Sequence, residues 1–328
     1  MRFFPATEPI ACLASPVAPG LLSKREMMMT ATPDDGQRAG TAVDAAHSPF
    51  LPRLRPRGAV WLTAPAVLVL LVALAYPLGI VVWRSFSDPA IGIDNYVWFF
   101  QSAVNRTVLQ RTFVVAAWVT LASLICAYPY AYAMTIVGRN MRLALILCVL
   151  VPFWLSGVVR TLAWVILLQD SGVINSILRG IGLSPVKLIR TLPGVVIGMT
   201  QVLLPFMILP IYSVMKGIDT RLLQAARSLG ARPWKAFLQI YVPLSLPGVY
   251  AGAIIVFILS LGFYITPALL GGPRSILLSS LVQNQVLSLL NWGRGGAMGV
   301  VLLVATFVLL AIAAPLMRQK HTSSRKEA

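Results

Sequence analysis

Acidic residues are scarce in this chain: ten stand against 27 lysines and arginines, for a formal net charge of +17. None of the ten interrupts a long apolar run; they are Glu8, Glu26, Asp34, Asp35, Asp44, Asp88, Asp94, Asp170, Asp219 and Glu327. Proton- and ion-coupled carriers keep ionisable groups along their pathway at membrane depth, so this distribution argues against a carrier of that kind. Histidine is rarer still. His47 and His321 lie near the two ends, which leaves no side chains for a histidine-based metal cluster or a catalytic triad. The three cysteines, Cys12, Cys126 and Cys148, form no C-x-x-C pair. Disulfides are not expected, and Cys126 and Cys148 should behave as small buried hydrophobes. Also lacking are a G-x-x-x-x-G-K-S/T phosphate loop and a G-x-G-x-x-G turn, so no ATP or dinucleotide cofactor is expected on this chain. If ATP drives its work, another subunit binds it.

Apolar sequence is what the chain has in abundance: 58% hydrophobic residues, only 11% charged, and a mean hydropathy of +0.80. A membrane-spanning helix needs about 20 predominantly apolar residues. Six runs qualify, at 59–83, 112–137, 143–168, 191–215, 244–270 and 296–316, predicting an all-α integral membrane protein with six transmembrane helices. Pro65, Pro77, Pro129, Pro152, Pro205, Pro210 and Pro267 fall inside these runs. Packed membrane helices tolerate proline, so kinks are expected there and not ends.

Six crossings put both termini on one side. Taking that side as cytoplasmic places 18 of the 27 lysines and arginines inside and eight outside, with Arg160 within a span. Without the distant Arg2, Lys24, Arg25 and Arg38 the bias is still 14 to eight, which favours cytoplasmic termini. The positive charge therefore reads as membrane topology. Its dispersal among loops offers no continuous basic face for nucleic acid. Residues 1–58, rich in Pro, Ala, Ser, Thr and Asp without apolar periodicity, are expected to form a disordered cytoplasmic tail, and 319–328 a short basic one. Met27-Met28-Met29 offers an alternative start, and a cleaved signal peptide is not expected.

One polar stretch, 216–243, is built to fold outside the membrane as two short cytoplasmic helices over 219–241. Asp219 can cap a short helix whose Leu222, Leu223, Ala226 and Leu229 form a stripe, and Gly230 suits a left-handed helix end. Pro233 then fits the first turn of a second short helix presenting Trp234, Phe237 and Leu238, before Pro243 and Pro247 return the chain to the membrane. Two uses remain open: a knob for a groove on a partner protein, or a helix pair lying on lipid headgroups.

Gln224-Ala225-Ala226, Gly230, Ile240 and Pro243 resemble the cytoplasmic signature of the permease subunits of binding-protein-dependent ABC importers: E-A-A, three residues, G, nine residues, I-x-L-P. Gln224 replaces the usual Glu and Val242 the usual Leu. The resemblance covers 59–318 and is greatest to the spermidine/putrescine (polyamine and opine) branch. "AYPYAYAM" (127–134), "VPFWLSGVVRTLAWVILLQDSGVIN" (151–175), "LLPFMILPIYSVMKGID" (203–219) and "FYITPALLGGP" (263–273) carry it. It implies the type I (MetI-like) importer fold in a bacterial inner membrane. The implied partners are a second permease, two copies of a cytoplasmic ABC ATPase and an extracytoplasmic solute-binding protein. It also implies an ATPase-coupling role for Gln224, Ala225, Ala226, Gly230, Pro233, Ile240 and Pro243.

For a polyamine or related organic cation, Tyr128, Tyr130, Tyr132, Trp154, Trp164 and Tyr264 could offer cation-π faces at depth, with ordinary packing or an interfacial belt as the competing use. Counting back from Gln169, Arg160 lies about 13 Å below the outer end of its span, where a carbonyl partner, snorkelling or a solute could satisfy it. Rival readings are a stand-alone carrier or channel, which should show a repeated half, and a membrane enzyme, which would need a polar cluster; neither feature is found.

Overall fold

The computed structural model describes residues 56–318, with side chains placed over 64–312. The two tails expected at 1–58 and 319–328 therefore lie almost wholly outside the described residues. Thirteen α-helices follow in order: α1 (Pro56–Ser87), α2 (Asp94–Gln101), α3 (Ala103–Ile136), α4 (Arg139–Trp154), α5 (Gly157–Leu168), α6 (Val173–Gly180), α7 (Leu192–Met215), α8 (Arg221–Ser228), α9 (Pro233–Ala236), α10 (Val242–Gly262), α11 (Ile265–Leu270), α12 (Leu278–Gln283) and α13 (Trp292–Arg318). Among the described residues six helical stretches are long and apolar enough to cross a membrane.

The centre is α3 packed with α7 and α10. Val115, Val119, Ala127, Ala131 and Met134 meet Met199, Leu203, Met207, Ile208 and Ile211, with Val256 from α10. Close approach of α10 to α7 depends on Gly248 and Gly252. A Cβ on Gly248 would stand 2.8 Å from the Pro210 carbonyl oxygen, and one on Gly252 2.9 Å from the Met207 Sδ. Membrane helices gain little from hydrophobic exclusion and rely on such backbone proximity for packing. A smaller cluster, Phe99, Val108, Leu278 and Met298, joins α2, α3, α12 and α13. The apolar stretch of α1 is unburied; its end is tied to α2 by Asn95, whose amide donates to the Ser85 and Asp88 carbonyls at 3.0 and 2.8 Å.

Prolines 77, 129, 205 and 210 sit within helices that continue through them, as expected for packed spans; Pro247 likewise sits inside α10. Two expected spans are broken instead. The run at 143–168 divides into α4 and α5 around extended Leu155, ψ 144°. Pro152 deprives the last turn of α4 of a donor, and the helix closes with a Leu155 N–H bond to the Pro152 carbonyl, only three residues back. The third apolar stretch, 157–180, in turn contains the tight turn between α5 and α6. The run at 244–270 ends its helix at Gly262; Phe263 is extended and the chain restarts as the short α11, lying against α5 and α7. Cys126 and Cys148 are exposed and not buried as expected; facing outward costs an apolar side chain nothing when the surroundings are lipid.

Candidate functional site

Between α7 and α10 the chain forms a projecting tip. Asp219 does act at the start of α8, but from one position earlier than expected: Thr220 is the cap residue, and the Asp219 carboxylate accepts from the Arg221 N–H at 2.9 Å. The far end of α8 closes as a Schellman motif. Gly230, at φ +87°, donates to the Arg227 carbonyl at 3.0 Å, and Ala231 donates to that of Ala226 at 3.0 Å. Two otherwise orphaned carbonyls are thereby satisfied, and the chain reverses in a turn that an L residue enters only with strain.

Pro233 opens the next helix, where its missing N–H costs nothing. That helix differs from expectation. It is not a separate cytoplasmic piece but runs through a wide π turn, Phe237–Tyr241, directly into α10, so 233–262 is one continuous rod. Val242 donates to the Phe237 carbonyl five residues back, an arrangement that makes room ahead of Pro243, whose ring would clash with the carbonyl four residues before it. The proposed faces divide accordingly. Phe237 turns inward while Trp234 and Leu238 are exposed; Leu223 packs onto the core while Leu222 is exposed and Leu229 is 89% exposed.

Gln224, Ala225, Gly230, Pro233 and Pro243 are exposed, and Ala226 and Ile240 half-buried. Ala226, Leu229, Gly230, Ala231, Arg232 and Lys235 line a shallow hollow at the turn. Arg232 and Lys235 of that lining are exposed, as are Arg221 and Arg227 of α8. The surface is therefore small-residue and apolar at its centre and cationic at its margin, a shape that admits close approach by an acidic, grooved partner.

The candidate pathway residues do not converge on one site. Trp154, at the end of α4, is 89% exposed, and Tyr264, at the α10–α11 break, 43%. Trp164 donates its indole N–H to Gln201 of α7 at 3.1 Å, and Tyr128 pairs with Ser245 of α10 at 3.0 Å. Arg160, 9% exposed, turns back on the broken span: its guanidinium donates to the Leu155 carbonyl at 3.1 Å, approaches that of Phe153 at 3.5 Å and lies 5.8 Å from the Phe153 ring. It thus caps the orphaned carbonyl end of α4, a carbonyl partner of the kind open to it from the sequence. Sequence reasoning missed Gln201, Ser245 and the Thr161–Thr266 hydroxyl pair, 3.2 Å apart, that links α5 to α11. Their signal was a polar side chain inside an apolar run, which is costly unless partnered.

At the other end of the bundle, two adjoining hollows share Pro273 and Ile276. Arg111 and Arg274 line one and Arg190 the other, and no acidic side chain lines either. Arg190 has a left-handed backbone, φ +61°, held by its N–H bond to the Leu270 carbonyl at 2.9 Å.

Residues 54–320 match the family model described as binding-protein-dependent transport system inner membrane component. The chain belongs to this family. The permease is 31% identical over 230 residues to the spermidine/putrescine transport system permease protein PotB of Escherichia coli K12, spanning 70% of this chain and 83% of that one. It is 34% identical over 238 residues to the inner membrane ABC transporter permease protein YdcU of the same organism, spanning 68% and 72%. A crystal structure of a bacterial ABC transporter involved in import of the acidic polysaccharide alginate contains a chain of the same fold, TM-score 0.64 and 21% identity, covering 80% of this chain and 97% of that one. The same fold recurs in the alginate transporter complexed with its pentasaccharide-bound periplasmic protein, TM-score 0.63 and 20% identity, covering 79% and 95%. The protein is thus a multi-pass inner-membrane permease of a binding-protein-dependent ABC importer. ATP hydrolysis in such an importer belongs to a separate subunit.

Proposed function

We propose that this permease forms half of the transmembrane pathway of an importer for a polyamine such as spermidine or putrescine, or a related organic cation. A second permease supplies the other half. Two copies of a cytoplasmic ABC ATPase bind and hydrolyse the ATP, and both termini of the permease lie on their side. The α8–Gly230–α9 tip docks in a groove of one ATPase copy. The observation that carries this reading is the tip itself: a Schellman-closed turn with Leu229 89% exposed and exposed Arg232 and Lys235 beside small residues. A mere connector gains nothing from that construction, and a helix pair resting on lipid would turn both of its apolar faces outward. The arginine rim at the opposite end faces the solute-binding protein.

Substrate class rests on the resemblance to PotB. Asp170, exposed at the turn between α5 and α6, is the one carboxylate within the described membrane-crossing stretches, so charge selection for a polycation falls largely to the binding protein or to the second permease. Among the candidate aromatics Trp154 and Tyr264 keep open faces. Mass spectrometry of what co-purifies with the C-terminally tagged chain in mild detergent tests the assembly, beside a Leu229→Asp variant. Recovery of an ATPase and a second permease with the parent, and loss of the ATPase alone from the variant, is the expected result. A folded parent that brings down no ATPase would leave a stand-alone carrier. Calorimetry of the cognate binding protein with spermidine and putrescine tests the substrate; no heat with either refutes the polyamine assignment.

A further inference from the structure

We infer that the wide turn Phe237–Tyr241, gripped by tyrosines of α3, is the joint through which movement of the α8–α9 tip reaches the membrane helices. This rests on the reading of the tip as the ATPase-docking element.

The geometry of α3 and the 233–262 rod carries the inference. Tyr128, Tyr132 and Thr135 recur at helical spacing on α3 and all meet the rod. Phe237 and Tyr241 stack at 5.3 Å and 16°, and Tyr132 meets both edge-on, at 5.2 and 5.3 Å. Tyr128 lies edge-on to Phe237 at 6.5 Å, its hydroxyl 3.0 Å from Ser245 Oγ, and Thr135 Oγ1 stands 3.4 Å from the Tyr241 hydroxyl. Phe237 and Ser245 thus face the same helix from opposite sides of the wide turn. At 3.6 residues per turn each residue rotates the chain by about 100°, so eight residues of regular helix would leave these two side chains roughly 80° apart. A π turn absorbs one residue, the spacing acts as seven, and the offset falls to about 20°. The ring contact below the turn and the hydroxyl contact above it hold together only while the extra residue stays in place.

Regular and wide registers are two discrete arrangements of one rod, and Pro243, having no N–H, lowers the bonding difference between them. Leu223 of α8 packs onto the same buried group as Tyr132, Phe237 and Tyr241. A pull on the tip therefore acts on α8, the wide turn and α3 together. Tyr132 and Phe237 are positioning residues here, not solute contacts.

The test uses the full importer in nanodiscs, with native cysteines replaced and spin labels at Thr220→Cys at the start of α8, away from the docking hollow, and Val104→Cys at the outer end of α3, both exposed. The label separation is measured with the ATPase bound, before and after adding ATP with EDTA. The parent is expected to show an ATP-dependent change. Phe237→Leu, which keeps apolar bulk without the ring, and Tyr132→Leu are expected to lose more than half of it while still binding the ATPase, and Tyr132→Phe to restore it. Deleting exposed Leu238, which removes the extra residue, is expected to abolish it. An unchanged ATP response in Phe237→Leu and Tyr132→Leu, with ATPase bound, overturns the joint. Failure of the parent to bind any ATPase overturns the docking reading and the joint with it, and binding to the parent separates the two failures.

Discussion

Replacing Gly230 in turn by alanine, asparagine and valine separates backbone conformation from side-chain size at the tip. The residue sits at φ +87° and a Cβ there would meet nothing within 4 Å, so the permease alone imposes no steric penalty on a side chain. What remains is conformational. Left-handed geometry costs an ordinary L residue about 1–2 kcal/mol, and much less for asparagine. Alanine also stiffens the unfolded chain, which returns about 0.4–1 kcal/mol to global stability. That term does not apply to docking, where both states are folded. If the tip must hold the left-handed turn to dock, alanine weakens ATPase binding by about 1 kcal/mol or more, at least roughly fivefold, and β-branched valine by more. The expected order of affinity is Gly, Asn, Ala, Val. Should the ATPase instead require empty space over Gly230, size decides, and alanine binds better than the bulkier asparagine. Titration of labelled ATPase against detergent-solubilised permease, with melting temperature as the folding control, gives the order directly. Finding alanine tighter than asparagine refutes the conformational argument.

Gly248→Val places methyl groups against the α7 backbone, where even a Cβ would stand 2.8 Å from the Pro210 oxygen and 3.0 Å from the Ile211 Cα. Overpacking of about 1–3 kcal/mol is expected, read as a lower melting temperature in detergent; an unchanged value would mean that α10 and α7 are not in backbone contact. Arg160→Met strips the donors from the carbonyl end of α4. Each carbonyl left unpaired costs about 1–3 kcal/mol, so this variant should melt lower than Arg160→Lys, which keeps a donor; equal melting would show that the carbonyls are satisfied elsewhere. The double variant Arg190→Glu, Arg274→Glu should weaken stimulation of ATPase activity by the loaded binding protein about tenfold at low salt, the gap from the parent closing as salt rises. A salt-independent defect would point to misfolding of the loop and away from charge.

Much of the molecule was legible in its order of residues because the signals are local. Six apolar runs predict six membrane helices whatever their partners, since unpaired backbone in lipid leaves a helix little alternative. The tip was equally readable: Gly230 marks a left-handed turn and Pro233 a helix start by backbone sterics alone, and both stand where expected. The E-A-A-like spacing at Gln224, Ala225, Ala226 and Gly230 points to the family by itself. What the sequence could not show is where a long helix yields. Pro129 sits inside α3 and leaves it whole, whereas the segment following Pro152 parts at Leu155, where Arg160 folds back to satisfy the exposed carbonyls. Pro243 looked like the end of a cytoplasmic helix; a wide turn accommodates it, and the contacts of Phe237 and Ser245 with α3 hold that turn. Which leucines of α8 face outward was likewise set by the neighbours of Leu223 and not by the stripe. Local chemistry determined which segments are helical and where the chain can turn. Tertiary packing decided which proline broke its helix and which did not, because only a neighbouring helix can supply or withhold the partner for a freed carbonyl.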